Sequence, residues 1–148
     1  MKLRIFAWLL LVAAAAILIF SADSYLTQRS LAAKTIRLHV VANSDSDEDQ
    51  AEKLRVRDAV LRNVAALTAD CGDANAARTV LASHLNELQT SAQRCTEKPV
   101  TVSLGEERFA TRYYDTFTLP AGIYPSLRVK IGTAQGRNWW CVVFPSLC

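Results

Sequence analysis

An α+β domain behind an apolar leader is predicted, and three observations carry the prediction. Ile5 to Phe20 contains no charged or polar residue. Apolar residues then recur at helical spacing between Ser46 and Gln93, and the period changes to two from Pro99 onward. One strand-like stretch, Ile36 to Ala42, precedes the helical part. The expected architecture is therefore an N-terminal strand, an antiparallel helical hairpin and a mostly antiparallel β-meander. These elements pack as two layers, with the helices covering one sheet face.

Lys2 and Arg4 before the apolar run, and Ser21-Ala22-Asp23 after it, give residues 1–22 the layout of a secretory signal or signal anchor. Both fates stay open. Ala22 suits cleavage but Phe20 does not, and the 16-residue run is short against the roughly 20 residues of a spanning helix. Either way the basic start favours an N-terminus kept in the cytoplasm and export of the rest. Residues 23–35 read as a linker and 36–148 as one α+β domain. Membrane contact is expected only through residues 5–20, and only if they are retained.

The strand Ile36 to Ala42 runs into Asn43-Ser44-Asp45-Ser46-Asp47-Glu48-Asp49. Ser46 and Asp49 have capping-box spacing, and the acidic first turn suits the helix dipole. The helix is expected to reach about Ala69, burying Leu54, Val60, Leu61, Val64 and Leu67. Arg57 falls inside that stripe, either snorkelling over apolar surface or paired as a buried guanidinium. Asp73 caps a second helix to about Gln93, with Ala77, Val80, Leu81, Leu85 and Leu88 on its buried face and His84 facing solvent. Strands follow at Val100–Leu104, around Phe109–Tyr113, at Leu127–Ile131 and at Trp139–Phe144. Gly132 and Gly136 flank a hairpin turn.

Of 17 basic residues, Lys2 and Arg4 lie in the leader, leaving 15 against 14 acidic ones. No Lys/Arg cluster offers a nucleic-acid footprint. Asp45-x-Asp47-x-Asp49 opens like a calcium loop, but Gln50 and Val56 stand where the Gly and the bidentate Glu belong. Neither a C-x-x-C pair nor a phosphate-binding glycine loop occurs, so no metal and no cofactor is expected. His39, Ser44 and Asp45 supply the residue types of a hydrolytic triad without a G-x-S-x-G elbow. Cys141 and Cys148 can pair if Phe144-Pro145-Ser146-Leu147 turns the chain back, a staple of about 2–3 kcal/mol. Cys71 and Cys95 bracket a helix and are poorly placed to pair. Trp139 and Trp140, adjacent in a strand, must face opposite sides. Either both are covered by two layers, or one ring helps form a contact surface.

Ile36 to Ser46 with Asp49-Gln50 and Lys53-Leu54-Arg55-Val56-Arg57-Asp58-Ala59-Val60 resembles the front of the stage II sporulation protein R family. So do Leu119-Pro120-Ala121-Gly122, Leu127-Arg128-Val129, Ile131-Gly132, Asn138-Trp139-Trp140-Cys141-Val142 and the stretch through Leu147-Cys148. The chain departs from the family pattern at Ala110, where Pro is expected, and at Ala134, where Gly is expected. Some relatives are expected to run beyond Cys148.

The resemblance implies a signalling protein without catalysis, exported from the forespore into the space between forespore and mother-cell membranes. Its implied partner is a membrane-embedded aspartic protease, which cleaves the pro-sigma-E precursor. The candidate partner-binding residues are His39, Asn43, Asp45, Arg57, Arg112, Tyr113, Asn138, Trp139 and Trp140. The residues themselves leave two other readings open: a secreted hydrolase using His39, and a structural envelope module.

Overall fold

Ile36, Leu38 and Val40 alternate with polar residues, and all three are fully buried, which makes strand β1 (Ile36–Val41) the axis of the fold. The computed structural model describes residues 2–114 and 117–147. Ahead of β1 runs α1 (Lys2–Ala33), long and apolar enough to cross a membrane. The helix continues through the linker expected at residues 23–35, ending two residues before β1.

After β1 come α2 (Asp47–Thr68), α3 (Ala74–Ser83) and α4 (Leu85–Gln93), then β2 (Val100–Phe109), β3 (Arg112–Tyr113), β4 (Thr118–Leu119), β5 (Gly122–Ile131) and β6 (Asn138–Phe144). The four-stranded sheet has the order β2-β5-β1-β6. β1 lies parallel to β5 and antiparallel to β6, and β2 is antiparallel to β5. The α+β reading holds, with mostly antiparallel pairing. Leu38, Val40, Leu127, Val129 and Val143 meet Val56, Val60, Val64, Leu81 and Leu88 in one core between sheet and helices. The outer edge of β2 is closed by α4: the amides of Val100 and Val102 donate to the side-chain oxygens of Gln93 and Gln89.

Local signals placed the helix starts. Ser46 accepts from the Asp49 amide at 3.2 Å, and Asp73 accepts from the Asn75 and Ala76 amides at 2.9 Å. Four expectations need correction. The second arm of the helical hairpin is two helices, broken at His84. There the imidazole Nδ1 pairs with the Val80 carbonyl at 2.7 Å, so His84 is half-buried instead of facing solvent. On α2, Val56 is fully buried while Leu54 is 37% exposed, because Val56, Val60 and Val64 form the i, i+4, i+8 row that faces the sheet. The expected strand around Phe109 splits: Phe109 ends β2, and Arg112–Tyr113 pairs with Thr118–Leu119 in a separate two-stranded ribbon.

At the β5–β6 turn Ala134 adopts φ = 54°, a left-handed conformation that favours glycine. The Gly expected there from the family pattern therefore has a backbone reason. At the C-terminus the chain does turn back, with the Leu147 amide donating to the Val142 carbonyl at 3.3 Å. The expected Cys141–Cys148 pair involves Cys148, which lies outside the described residues. Cys71 and Cys95 are free thiols.

Candidate functional site

The alternation of β1 that buries Leu38 and Val40 against the helices sends Arg37 and His39 to the other sheet face. His39 is 7% exposed and stacks on Trp140, ring centroids 3.6 Å apart and planes at 18°. Its Nδ1 pairs with Glu107 Oε1 at 2.8 Å and its Nε2 with Asn138 Oδ1 at 2.9 Å. Glu107 also receives Arg128 Nη2 at 2.7 Å and the Ser126 hydroxyl at 3.1 Å. Burial alone would push the Glu107 carboxyl up. The Arg128 hydrogen bond, the His39 ring and the Ser126 hydroxyl reverse that and hold it below its ordinary value. The Arg112 guanidinium approaches the Trp140 ring at 5.9 Å, while Tyr113 beside it on the ribbon is 81% exposed.

Trp139 emerges on the opposite face of β6, as strand geometry requires. The Arg57 guanidinium lies 4.3 Å from its ring centroid and pairs with Asp58 at 2.7 Å. Both sequence readings of Arg57 thus contain part of the answer: it covers an aromatic surface and has a carboxylate partner. Trp139 remains 37% exposed.

A third group ties the helix-entry loop to the β5–β6 turn. Asn43 donates to Asp49 Oδ2 at 2.8 Å and accepts from the Thr133 amide at 2.9 Å. Asp45 accepts from the Arg137 amide at 2.6 Å. Asp49 is the hub, also receiving the Ser44 hydroxyl at 2.5 Å and Lys98 Nζ at 3.0 Å. Hydrogen bonds from Ser44, Asn43 and Lys98 hold its carboxyl well below the usual range. Hydrogen bonds to Glu52 and Asp49 in turn raise Lys98. With Ser44 committed to Asp49 and His39 to Glu107, the triad types His39, Ser44 and Asp45 do not assemble as a catalytic set.

The depressed Asp49 carboxyl sets a sign for the acid limb of stability. The folded state binds its proton less readily than the unfolded chain does. The contribution is complete above the unfolded pKa of about 4 and is lost as pH falls through the lower folded value. Urea titrations of the full chain in detergent from neutral to acidic pH should show Asp49→Asn with a flatter acid limb than the parent. Equal slopes would refute the hub assignment.

Eight of the nine candidate residues therefore form connected neighbourhoods around the first residues of β6. His39, Asn138, Trp140 and Arg112 share one side, Arg57 and Trp139 the other, and Asn43 and Asp45 brace the turn that feeds the strand. Tyr113 stands apart on its ribbon. Sequence reasoning missed Glu107, which anchors His39 from 68 residues away, and Arg37. The Arg37 side chain is fully buried with its guanidinium 3.8 Å from the Phe109 centroid, and Nη2 donates to the Tyr114 hydroxyl at 3.1 Å. Its Nε and Nη1 have no hydrogen-bond partner among the described residues, and burial lowers its pKa. The polar positions of the Ile36-Arg37-Leu38-His39 alternation were the available signal, but they normally mark a solvated face.

Comparison with known proteins adds to this geometry. The chain is 38% identical over 120 residues to stage II sporulation protein R of Bacillus subtilis (strain 168), a match covering 78% of this chain and 54% of that protein. It thus spans about half the length of that curated relative. No solved structure matches. The family model for stage II sporulation protein R matches residues 32–148, which takes in every element from β1 onward, and the chain belongs to that family.

Proposed function

We propose that this chain is an exported signal of endospore formation that activates a membrane-embedded aspartic protease, which then cleaves the pro-sigma-E precursor. The observation that carries the reading is the start of β6. Trp139 and Trp140 project from its two faces, one beneath Arg57 and the other against His39, at the end of the sheet where the Asn43–Asp49 loop is braced. An amphipathic ring beside an Arg is a common anchor of protein interfaces. The site acts by docking, not by chemistry: His39 is buried, and both its nitrogens are engaged. α1 is compatible with a signal peptide or anchor, and on this reading it would deliver the domain to the space between the two sporulation membranes.

Aspartic proteases need two carboxyls brought together, so docking would favour the assembled state of the protease. Such a shift is limited to the ligand's differential affinity for that state. The test is co-expression of this chain, the cognate protease and the sigma precursor in a non-sporulating bacterial host, with precursor cleavage followed by immunoblot. Cleavage should require the chain and its export segment. Trp139→Ala and Trp140→Ala, exported at parental levels, should each reduce cleavage at least several-fold, in line with the 2 kcal/mol or so of an aromatic hot spot. Full cleavage by both folded variants would dismiss the aromatic surface. Turnover of a substrate by the isolated chain, lost in His39→Ala, would favour the hydrolase reading instead.

A further inference from the structure

We propose that an extended segment of the protein partner adds a strand to the sheet, hydrogen-bonded to the outer edge of β6 at Asn138 and Trp140. This rests on the docking reading above and deepens it. The Trp rings locate the contact, and the main chain of β6 supplies its directional bonds.

The sheet order β2-β5-β1-β6 leaves two edges, and they are treated differently. At the β2 edge the outward amides of Val100 and Val102 are taken by Gln93 and Gln89 at 2.9 and 3.1 Å. Such cover stops a strand edge from recruiting another chain. Parity decides which backbone groups of β6 face outward. Val100 and Val102 turn away from β5, and the registers β2–β5, β5–β1 and β1–β6 carry that alternation across the sheet. Asn138, Trp140 and Val142 consequently turn away from β1. The C-terminal turn agrees: the Leu147 amide bonds to the Val142 carbonyl at 3.3 Å and closes the edge there.

Ahead of Val142 the edge is bare. The outward N–H and C=O of Asn138 and of Trp140 meet no backbone or side-chain partner among the described residues, and Asn138 and Trp139 are exposed. Residues 138–140 include neither Pro nor Lys, and the irregularity in the β1–β6 register falls at the other end, between Ile36 and Arg37. The common devices that blunt an edge are therefore missing from this stretch.

Two outward residues offer two donors and two acceptors to an incoming backbone, the main-chain contact of strand addition. An added strand sends side chains to both faces of the sheet. One set meets Trp139 beside Arg57, and the other meets Trp140 beside His39. A single extended segment thus reaches two rings on opposite faces, which docking on one face cannot do. The segment it fits has apolar side chains at alternating positions and no proline where it pairs. A second copy of this chain does not fit. Antiparallel pairing of two β6 edges about Trp139 sets Gly136 of one copy beside Val142 of the other, where the C-terminal turn already sits.

The test is single-residue amide hydrogen exchange, read by mass spectrometry on the full chain in detergent, alone and with the full-length cognate protease. Alone, the Trp139 and Cys141 amides, bonded to β1, should exchange slowly and those of Asn138 and Trp140 fast. With the protease, the Asn138 and Trp140 amides should slow by at least about tenfold. Asn138→Pro removes one outward N–H, whereas Asn138→Ala removes the same side chain and keeps that N–H. The proline variant should accordingly bind the protease several-fold more weakly than the alanine variant. Equal binding by the two folded variants would overturn the main-chain pairing; if Asn138→Pro does not fold, the exchange of the parent chain decides. Unchanged exchange at both amides, in a complex that Trp139→Ala weakens, would overturn strand addition and leave the docking reading in place. Slowing that appears as the chain alone is concentrated would give the edge to a second copy and overturn the proposal. No complex, with precursor cleavage indifferent to the chain, would remove the docking reading and this mode together.

Discussion

His39→Ala should destabilise the domain by about 3 kcal/mol, the cost of a buried ring lost to a cavity together with its stack and its hydrogen bonds. The ring fills the space between Trp140 and β1, so deletion leaves Trp140 without its stacked neighbour. It also leaves Glu107 with only Arg128 and Ser126, and Asn138 without its imidazole partner. His39→Gln keeps a polar group near Glu107 but loses the stack, so its cost should fall between that of His39→Ala and zero. Urea unfolding of the full chain in detergent, followed by far-ultraviolet circular dichroism, gives the magnitude. A His39→Ala chain as stable as the parent would mean that the stack contributes nothing to the fold. The measurement also separates the two roles open to this residue. A catalytic His39 would lose activity with its stability intact, whereas here any functional loss should follow the stability loss.

The same residues show what a sequence can and cannot disclose. The caps at Ser46 and Asp73 were legible because each concerns an oxygen and an amide two or three residues away. The opposed Trp139 and Trp140 were legible because period two is a property of the strand alone. The parallel pairing of β1 with β5 was not legible. It joins Arg37 to Ser126 and His39 to Arg128 across the whole helical segment, and nothing local distinguishes it from another antiparallel neighbour. The buried Arg37 and His39 were hidden for the same reason. An alternating strand implies one wet face, and only the remote Phe109, Glu107 and ribbon residues cover this one. Leu54 was misplaced because helical spacing alone admits two overlapping apolar rows, and the sheet selects the one through Val56. Of the candidate site, the residue types at the start of β6 could be read in advance. The partner of His39 and the bracing of Asn43 by Thr133 depended on contacts between distant segments.

That bracing is where a single methyl group should do most harm. Gly136 is buried in the β5–β6 turn, and a Cβ there would run into the Ser44 carbonyl and the Ala42 side chain. Neither neighbour is free to retreat. The Ser44 carbonyl accepts from Gln50 Nε2 at 2.9 Å, and the Ala42 carbonyl accepts from the Gly136 amide itself at 2.9 Å. Relief must therefore come from a backbone shift in the loop or the turn, an overpacking cost of about 2–3 kcal/mol. Gly136→Ala should accordingly lower the midpoint of thermal unfolding by roughly 10 °C in a domain of this size. Gly105→Ala is the control: a Cβ on that exposed strand position meets nothing within 4 Å, so its midpoint should stay near the parent's. The effect should also reach the proposed docking surface. The Arg137 amide is held by Asp45, and Lys53 Nζ donates to the Arg137 carbonyl at 3.0 Å, so a displaced turn moves the residue that leads into Asn138 and Trp139. Precursor cleavage should then fall with Gly136→Ala even at temperatures where the chain remains folded. Equal stability and equal cleavage for the two glycine variants would show that the turn does not position the start of β6.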